Sequence, residues 1–388
     1  MQQLRGFAVA GALILLLAGC ATPAAPVNDG GASVAKDMGM PTVTSLGQDD
    51  FTGVATGTTR LFFIAADQVQ WNYTPQGSNV LAGVPFAGAE KAEAAGSANR
   101  VGSTYTKCVY RAYSDATFTE QLPQDAYLGL LGPTLHTQVG DKVTVTYRNN
   151  CSFANSFHVR GWRYAKDSEG FAYPDNTTLK GDDTVVPGGG YLYRYEVPLT
   201  AGPMDAESST SVWSYDSPSA NNANDFAGLT GFIVVTRRGQ AKEDGSPKDV
   251  DQEVFSLFAG VDENLSSLNE TNLTAFSAAT RADPAFVSSN VKHSLNGFMF
   301  GNGPVPILTQ GTRVRWYSLG LGSAHETYSP QWDGNTFVVA GMRTDSVSLP
   351  SGRTAIADME ARNPGIWIFG PPASADLGIS MLGRYQVK

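Results

Sequence analysis

Gly140-Asp141-Lys142-Val143-Thr144-Val145-Thr146-Tyr147 sets a turn dipeptide before a run whose apolar side chains recur at every second position. Successive side chains of an extended chain point to opposite faces, so a period of two predicts a strand with one buried face. The pattern repeats on either side of this run. Upstream lies Leu61-Phe62-Phe63-Ile64; downstream come Tyr191-Leu192-Tyr193-Arg194-Tyr195, after the turn Pro187-Gly188-Gly189, and Phe232-Ile233-Val234-Val235. A polar break over 238–250 follows, containing Gly239, Glu243, Asp244, Gly245 and Pro247. A second strand-rich block then runs from Glu253-Val254-Phe255-Ser256-Leu257-Phe258 to Tyr385-Gln386-Val387, through Arg313-Val314-Arg315-Trp316-Tyr317 and Ile366-Trp367-Ile368-Phe369. Many short strands at regular spacing predict an all-β architecture of two tandem Greek-key sandwiches or barrels. The expected domains are 58–237 and 251–388, joined by the linker 238–250.

Composition agrees with that plan. The chain of 388 residues carries 42 glycines and 21 prolines, a supply that favours turns and strands over helices. Its net charge of −9, without a basic stripe, excludes nucleic acid as the expected partner. Residues 1–20 combine Arg5, an apolar run from Phe7 to Leu17 and a closing Leu17-Ala18-Gly19-Cys20. That is a secretory signal, and the run is shorter than the ~20 apolar residues that span a bilayer. A cysteine directly after Leu-Ala-Gly resembles the lipobox of bacterial lipoproteins, which implies lipidation at Cys20 and a membrane-anchored, extracytoplasmic protein. Residues 21–57, rich in Ala, Pro, Gly, Asp and Thr, read as a flexible tether.

The supply of metal-binding side chains is small: four histidines, His136, His158, His293 and His325, and two cysteines beyond Cys20. In an oxidising compartment Cys108 and Cys151 read as a disulfide closing a loop of about 40 residues. The alternative, a thiolate copper ligand, requires a histidine nearby in the fold, and neither cysteine has one adjacent in sequence.

Several segments together resemble a known family. They are Leu128-Gly129-Leu130-Leu131-Gly132-Pro133, Gly140-Asp141-Lys142-Val143, Gly170-Phe171-Ala172-Tyr173-Pro174-Asp175-Asn176 and Gly228-Leu229-Thr230-Gly231. To these are added His293-Ser294-Leu295-Asn296-Gly297-Phe298-Met299-Phe300-Gly301-Asn302 and Pro364-Gly365-Ile366-Trp367 with Met381. Their order resembles the cupredoxin domains of ceruloplasmin and hephaestin, and the A domains of coagulation factors five and eight. The resemblance implies mononuclear copper held by two histidines, a cysteine and a methionine, and trinuclear copper held by His-x-His pairs at domain interfaces.

At the implied positions this chain departs from the family. The first His-x-His position reads His158-Val159-Arg160. The second, counted ahead of Asp216-Ser217-Pro218, reads Trp213-Ser214-Tyr215. Counting from Gly334, the second domain's positions read Tyr328, Gln331 and Asp333, with His325 three residues early. Counting from Met381, the His-Cys-His position reads Gly370-Pro371-Pro372 and the later histidine reads Asp376. The remaining copper candidates are His158, beside a fixed guanidinium, and His325, which with Glu326 and Asp333 offers a mixed nitrogen and oxygen set. The bland alternative for each is a surface or interface histidine. His136 reads as surface-like and His293 as structural. Asp182-Asp183 resembles the acidic pair that helps hold a structural calcium in the family; a solvated acidic turn is the alternative.

These readings point to a non-catalytic binding or scaffold protein with no copper cofactor. The competing expectation is a copper oxidoreductase, a multicopper or metal-ion oxidase, with a divergent site or with ligands from a partner subunit. Relay use of Trp213, Tyr215, Tyr328 and Trp332 in electron transfer is a third reading, against the commoner use of such rings as core. Two-domain relatives assemble as trimers, so the resemblance also implies a homo-oligomer or a distinct protein partner.

Overall fold

A computed structural model describes residues 57–204, 208–323, 326–372 and 379–388. The run that opens the sequence argument is β4 (Lys142–Asn150), in which Val143, Val145 and Tyr147 are buried while Lys142, Arg148 and Asn150 face solvent. The first half contains β1 (Thr59–Asn72), β2 (Thr104–Tyr113), β3 (Leu135–Gln138), β4, β5 (His158–Val159), β6 (Gly190–Glu196), β7 (Thr210–Asp216) and β8 (Thr230–Thr236). They form two four-stranded sheets in the orders β2-β1-β4-β6 and β3-β8-β7-β5. Ile64, Tyr110, Val145, Tyr193, Tyr215 and Ile233 fill the space between them. Cys108 in β2 and Cys151 just after β4 are joined by a disulfide inside this core, with their Cα atoms 6.0 Å apart.

The second half contains β9 (Gln252–Asp262), β10 (Val291–Leu295), β11 (Ile307–Leu308), β12 (Arg313–Leu321), β13 (Thr327–Tyr328), β14 (Gln331–Trp332), β15 (Phe337–Val339), β16 (Met342–Thr344), β17 (Leu349–Pro350), β18 (Thr354–Glu360), β19 (Gly365–Gly370) and β20 (Gly383–Val387). Its sheets run β10-β9-β12-β18-β15-β16 and β11-β20-β19-β14, with β13 and β17 as a separate ladder. Trp316, Trp332, Phe337, Phe369 and Tyr385 pack edge-on at its centre.

The two halves repeat one topology. β1 pairs in parallel with β4 and antiparallel with β2, and β9 pairs in the same senses with β12 and β10. β3 is parallel to β8 as β11 is to β20, and β5 is antiparallel to β7 as β14 is to β19. Two glycines fix the residue correspondence. Gly161 (φ 81°) and Gly334 (φ 79°) each lie three residues beyond the start of β5 or β14. A Cβ on either would strike the indole of Trp213 or Trp367 respectively. Only glycine accepts both the left-handed backbone and the ring above it.

The His293–Asn302 signature joins the halves. Asn296, buried at φ 53°, accepts from Leu257 N–H and donates to the carbonyls of Tyr127 and Phe255. Asn302 accepts from Gln76 N–H and donates to the Ser78 carbonyl. Deeper in the junction Lys107, fully buried, donates to Glu263 Oε1 at 2.7 Å and to the Phe226 carbonyl; Tyr73 donates to the same carboxylate oxygen at 2.7 Å. A buried charge needs partners of this kind.

Candidate metal centre

His158 on β5 stands opposite Asp216 on β7. Only 7% exposed, it donates from Nδ1 to the Glu169 carbonyl at 2.6 Å, with Tyr164 and Phe171 against its ring. Two residues on, the Arg160 guanidinium lies 2.6 Å from Asp216 Oδ2. Asp225, on the short helix Ala223–Ala227, approaches the same carboxylate. Burial first, and then the neighbouring Asp216, push the Asp225 carboxyl well up, against the pull of Arg160. Asp216 Oδ1 and Asp225 Oδ1 are buried without a hydrogen-bond partner among the described residues.

The repeat fixes what stands where. His158 corresponds to Gln331, and Asp216 to Gly370, because each pair faces across equivalent ladders. Asp216-Ser217-Pro218 is therefore the counterpart of Gly370-Pro371-Pro372, and the residues beside His158 are these rather than Trp213-Ser214-Tyr215. Counting along the sequence lands three residues early because loop length drifts freely, whereas ladder register does not. Tyr215 points into the core, where its hydroxyl donates to the Pro133 carbonyl at 2.7 Å. Trp213 covers Gly161 and donates to the Ala201 carbonyl at 2.8 Å. Both are packing residues.

In the second half Gln331 is exposed, Met381 lies in the core, and the Asp333 carbonyl accepts from Tyr385. The expected grouping of His325 with Glu326 and Asp333 includes a residue outside the described ones. Glu326 accepts from the Tyr328 hydroxyl at 2.6 Å and stands 3.9 Å from His293 Nε2. Burial raises its carboxyl, but the nearby His293 and the hydrogen bond from Tyr328 outweigh that and hold it below the usual carboxylate range. His136 is not a free surface residue either: its Nε2 lies 3.0 Å from Glu253 Oε2 across the junction. Sequence reading missed both partnerships, as it missed Asp216 and Asp225, since no local pattern marks them. Cys20, His325 and Asp376 lie outside the described residues.

The donor set does not fit copper. One imidazole sits beside a guanidinium, the counterparts of the remaining ligands are Gln331, Gly370, Pro371 and Pro372, and Cys108 and Cys151 are consumed by their disulfide. Among the described residues no three His, Cys, Asp or Glu side chains are grouped to hold a metal ion. The acidic pair offers calcium little more. Asp182 is fully buried; its Oδ2 accepts from Gly170 N–H at 2.8 Å while Oδ1 has no partner, and burial pushes its carboxyl up to about 6. Asp183 is held by Lys180 at 3.2 Å, and Lys180 and Lys166 both hold Asp175, at 2.5 and 3.2 Å. One free oxygen does not approach the six to eight that calcium takes.

A pair of cupredoxin-like sandwiches with such a degenerate centre is the architecture of a copper oxidase, and the comparisons agree. Residues 128–240 match the family model for "Multicopper oxidase". The chain is 36% identical over 354 residues to human "Ferroxidase HEPHL1", 34% over 342 to human hephaestin and 35% over 302 to rat ceruloplasmin. These matches cover 89, 86 and 75% of this chain. The chain belongs to the multicopper oxidase family, in its ceruloplasmin- and hephaestin-like part. It spans only 30, 30 and 28% of those relatives' lengths. A solved blue copper oxidase from Nitrosomonas europaea shares the fold at TM-score 0.53 and 12% identity, over 85% of this chain and 86% of that one.

Proposed function

We propose that this protein is an extracytoplasmic lipoprotein, anchored through Cys20, in which the multicopper oxidase fold serves as a non-catalytic binding or scaffold surface. One observation carries the reading: the residue two beyond His158 is a cation already paired, Arg160 with Asp216 at 2.6 Å. A guanidinium cannot be deprotonated to ligate a metal, and its fixed charge repels one. The thiolate position adds to this, because the stretch Gly370-Pro371-Pro372 contains no sulfur. The anchor rests on Leu17-Ala18-Gly19-Cys20. Its partners, on this reading, are a lipid bilayer and either another protein or further copies of the chain.

Two assays test the proposal. Copper-loaded protein should oxidise Fe²⁺ no faster than an equal amount of free copper; catalytic turnover would overturn the non-catalytic part. Turnover that appears only with a ligand-rich partner subunit would favour a hetero-oligomeric oxidase. Cys20→Ser should move the protein from the membrane fraction to the soluble extracytoplasmic fraction, and retention in the membrane would overturn the anchor.

A further inference from the structure

A cleft of about 610 Å³ opens where the end of β1 and the segment 121–129 meet Phe298 and Pro304 of the second half. One wall is a ring pair. Trp71 and Phe298 lie 5.0 Å apart with their planes tilted by 55°, and the Trp71 indole donates to the Gly297 carbonyl at 2.7 Å. Arg111, which also lines the cleft, pairs with Ala65 across the β1-β2 ladder, and Trp71 lies ~20 Å of strand further along β1. The cleft is therefore elongated.

Arg111 carries the argument. It is half-buried and donates to the carbonyls of Tyr110, Leu131 and Gly129 at 2.9, 3.1 and 3.1 Å, all of them neutral acceptors. Burial pushes its guanidinium down, and the charge of Asp67 opposes that. Asp67 nevertheless spends its own oxygens on the Tyr113 hydroxyl and the Asn150 amide, each at 2.7 Å. Among the described residues no carboxylate forms an ion pair with Arg111, and a guanidinium cannot shed its proton. A half-buried cation of this kind is stabilised by an anion from outside. Asp125, on the same cleft, is exposed, and its carboxylate has no hydrogen bond or ion pair among the described residues. The cleft thus presents one cation and one anion that are not spent on each other.

The rest of its polar lining is amide. Gln121 has no side-chain partner among the described residues. Gln70 and Gln124 donate through Nε2 to the Thr106 hydroxyl and the Leu131 carbonyl, which leaves both Oε1 atoms open. Asn72 accepts from Thr74 N–H and keeps its Nδ2 donors. A side-chain amide offers the same donor and acceptor as a peptide group, so the two match in pairs. The ring pair and three prolines, Pro75, Pro123 and Pro304, supply the apolar remainder, as a ligand site requires.

We infer that this cleft binds a short peptide with both termini free. Its carboxylate lies on Arg111, its ammonium on Asp125, its peptide groups on the glutamine and asparagine amides, and one apolar side chain against Trp71 and Phe298. The inference rests on the binding role proposed above and gives that role a ligand class. Copper content and iron oxidation test the role separately, so a peptide that fails to bind would overturn this inference alone.

Isothermal titration calorimetry of the full chain in mild detergent tests it, with the tripeptide alanyl-phenylalanyl-alanine and its N-acetylated and C-amidated forms as probes. The free tripeptide should bind, and blocking either end should weaken it about tenfold, the worth of one charged hydrogen bond. Asp125→Asn should weaken the free tripeptide by the same factor and remove its advantage over the N-acetylated form, while its advantage over the amidated form persists. Gln121 bridges to Tyr113, two residues beyond Arg111, so Gln121→Glu adds a carboxylate at that end. It should weaken the free tripeptide about tenfold more than the amidated form. Both substituted residues are exposed, so the circular dichroism spectrum should not change. Absence of binding at millimolar peptide, indifference to either block, or binding of a neutral trisaccharide such as cellotriose in the peptide's place would each overturn the inference.

Discussion

Arg160 stands at a position to which the family resemblance assigns a copper ligand, and Lys180 is paired with Asp183 of the acidic pair which that resemblance assigns to calcium. Removing Lys180 frees Asp183, next in sequence to Asp182 with its partnerless Oδ1, and leaves Asp175 to Lys166 alone. Lys180→Gln is therefore expected to gain thermal stability from millimolar calcium, while the wild type changes little; equal responses in differential scanning fluorimetry would count against the substitution of lysine for metal. Lys107 and Glu263 are both fully buried, so Lys107→Met leaves an unpaired carboxylate and should cost about 3–5 kcal/mol in urea unfolding. Adding Glu263→Gln should recover part of that loss, and no recovery would refute the pairing. Burial pushes the Lys292 ammonium down to about 8, opposed by Glu93 and Glu263. Its folded value lies below its unfolded one, so from pH 8 to about 10 the unfolded chain binds more protons and stability rises with pH. Lys292→Met should flatten that slope by up to about 1.4 kcal/mol per pH unit, an effect visible in denaturant midpoints across the window.

Elements were legible where their signal was local. The period of two in Val143-Thr144-Val145-Thr146-Tyr147 became β4, and Ile366-Trp367-Ile368-Phe369 became part of β19. Cys108 and Cys151 met as a disulfide. Register was not legible, because the offset between β5 and β7 is set by a ladder that pairs His158 with Asp216 and Val159 with Tyr215, residues far apart in sequence. Counting from landmarks therefore reached Trp213 and Tyr215 and missed Asp216. The signature from His293 to Asn302 was visible as a motif, but its work as a joint between halves was not, since Tyr127 and Gln76 lie far away in sequence. Asn296→Ala removes three hydrogen bonds in that joint and is expected to destabilise by about 3 kcal/mol. Asn296→Asp should be worse, as it turns the donor toward Tyr127 and Phe255 into an acceptor facing two carbonyls. An aspartate milder than alanine would contradict this role.

At the scale of the molecule, two copies of one sandwich are joined by a covered sheet pair, and the positions to which the family resemblance assigns copper ligands hold an ion pair, a glutamine and a Gly-Pro-Pro stretch. Packing and ligand chemistry rest on different side chains, which is why strand pattern pointed to the architecture and only side-chain identity spoke to the metal. The proposed function requires that this chain hold no copper. Its most direct test is the copper content of the full chain after copper loading and exhaustive dialysis, measured by inductively coupled plasma mass spectrometry together with a visible spectrum. The expected result is less than about a tenth of a copper per chain and no visible band. Stoichiometric copper, with or without colour, would contradict it and direct mutagenesis to His158 and His325.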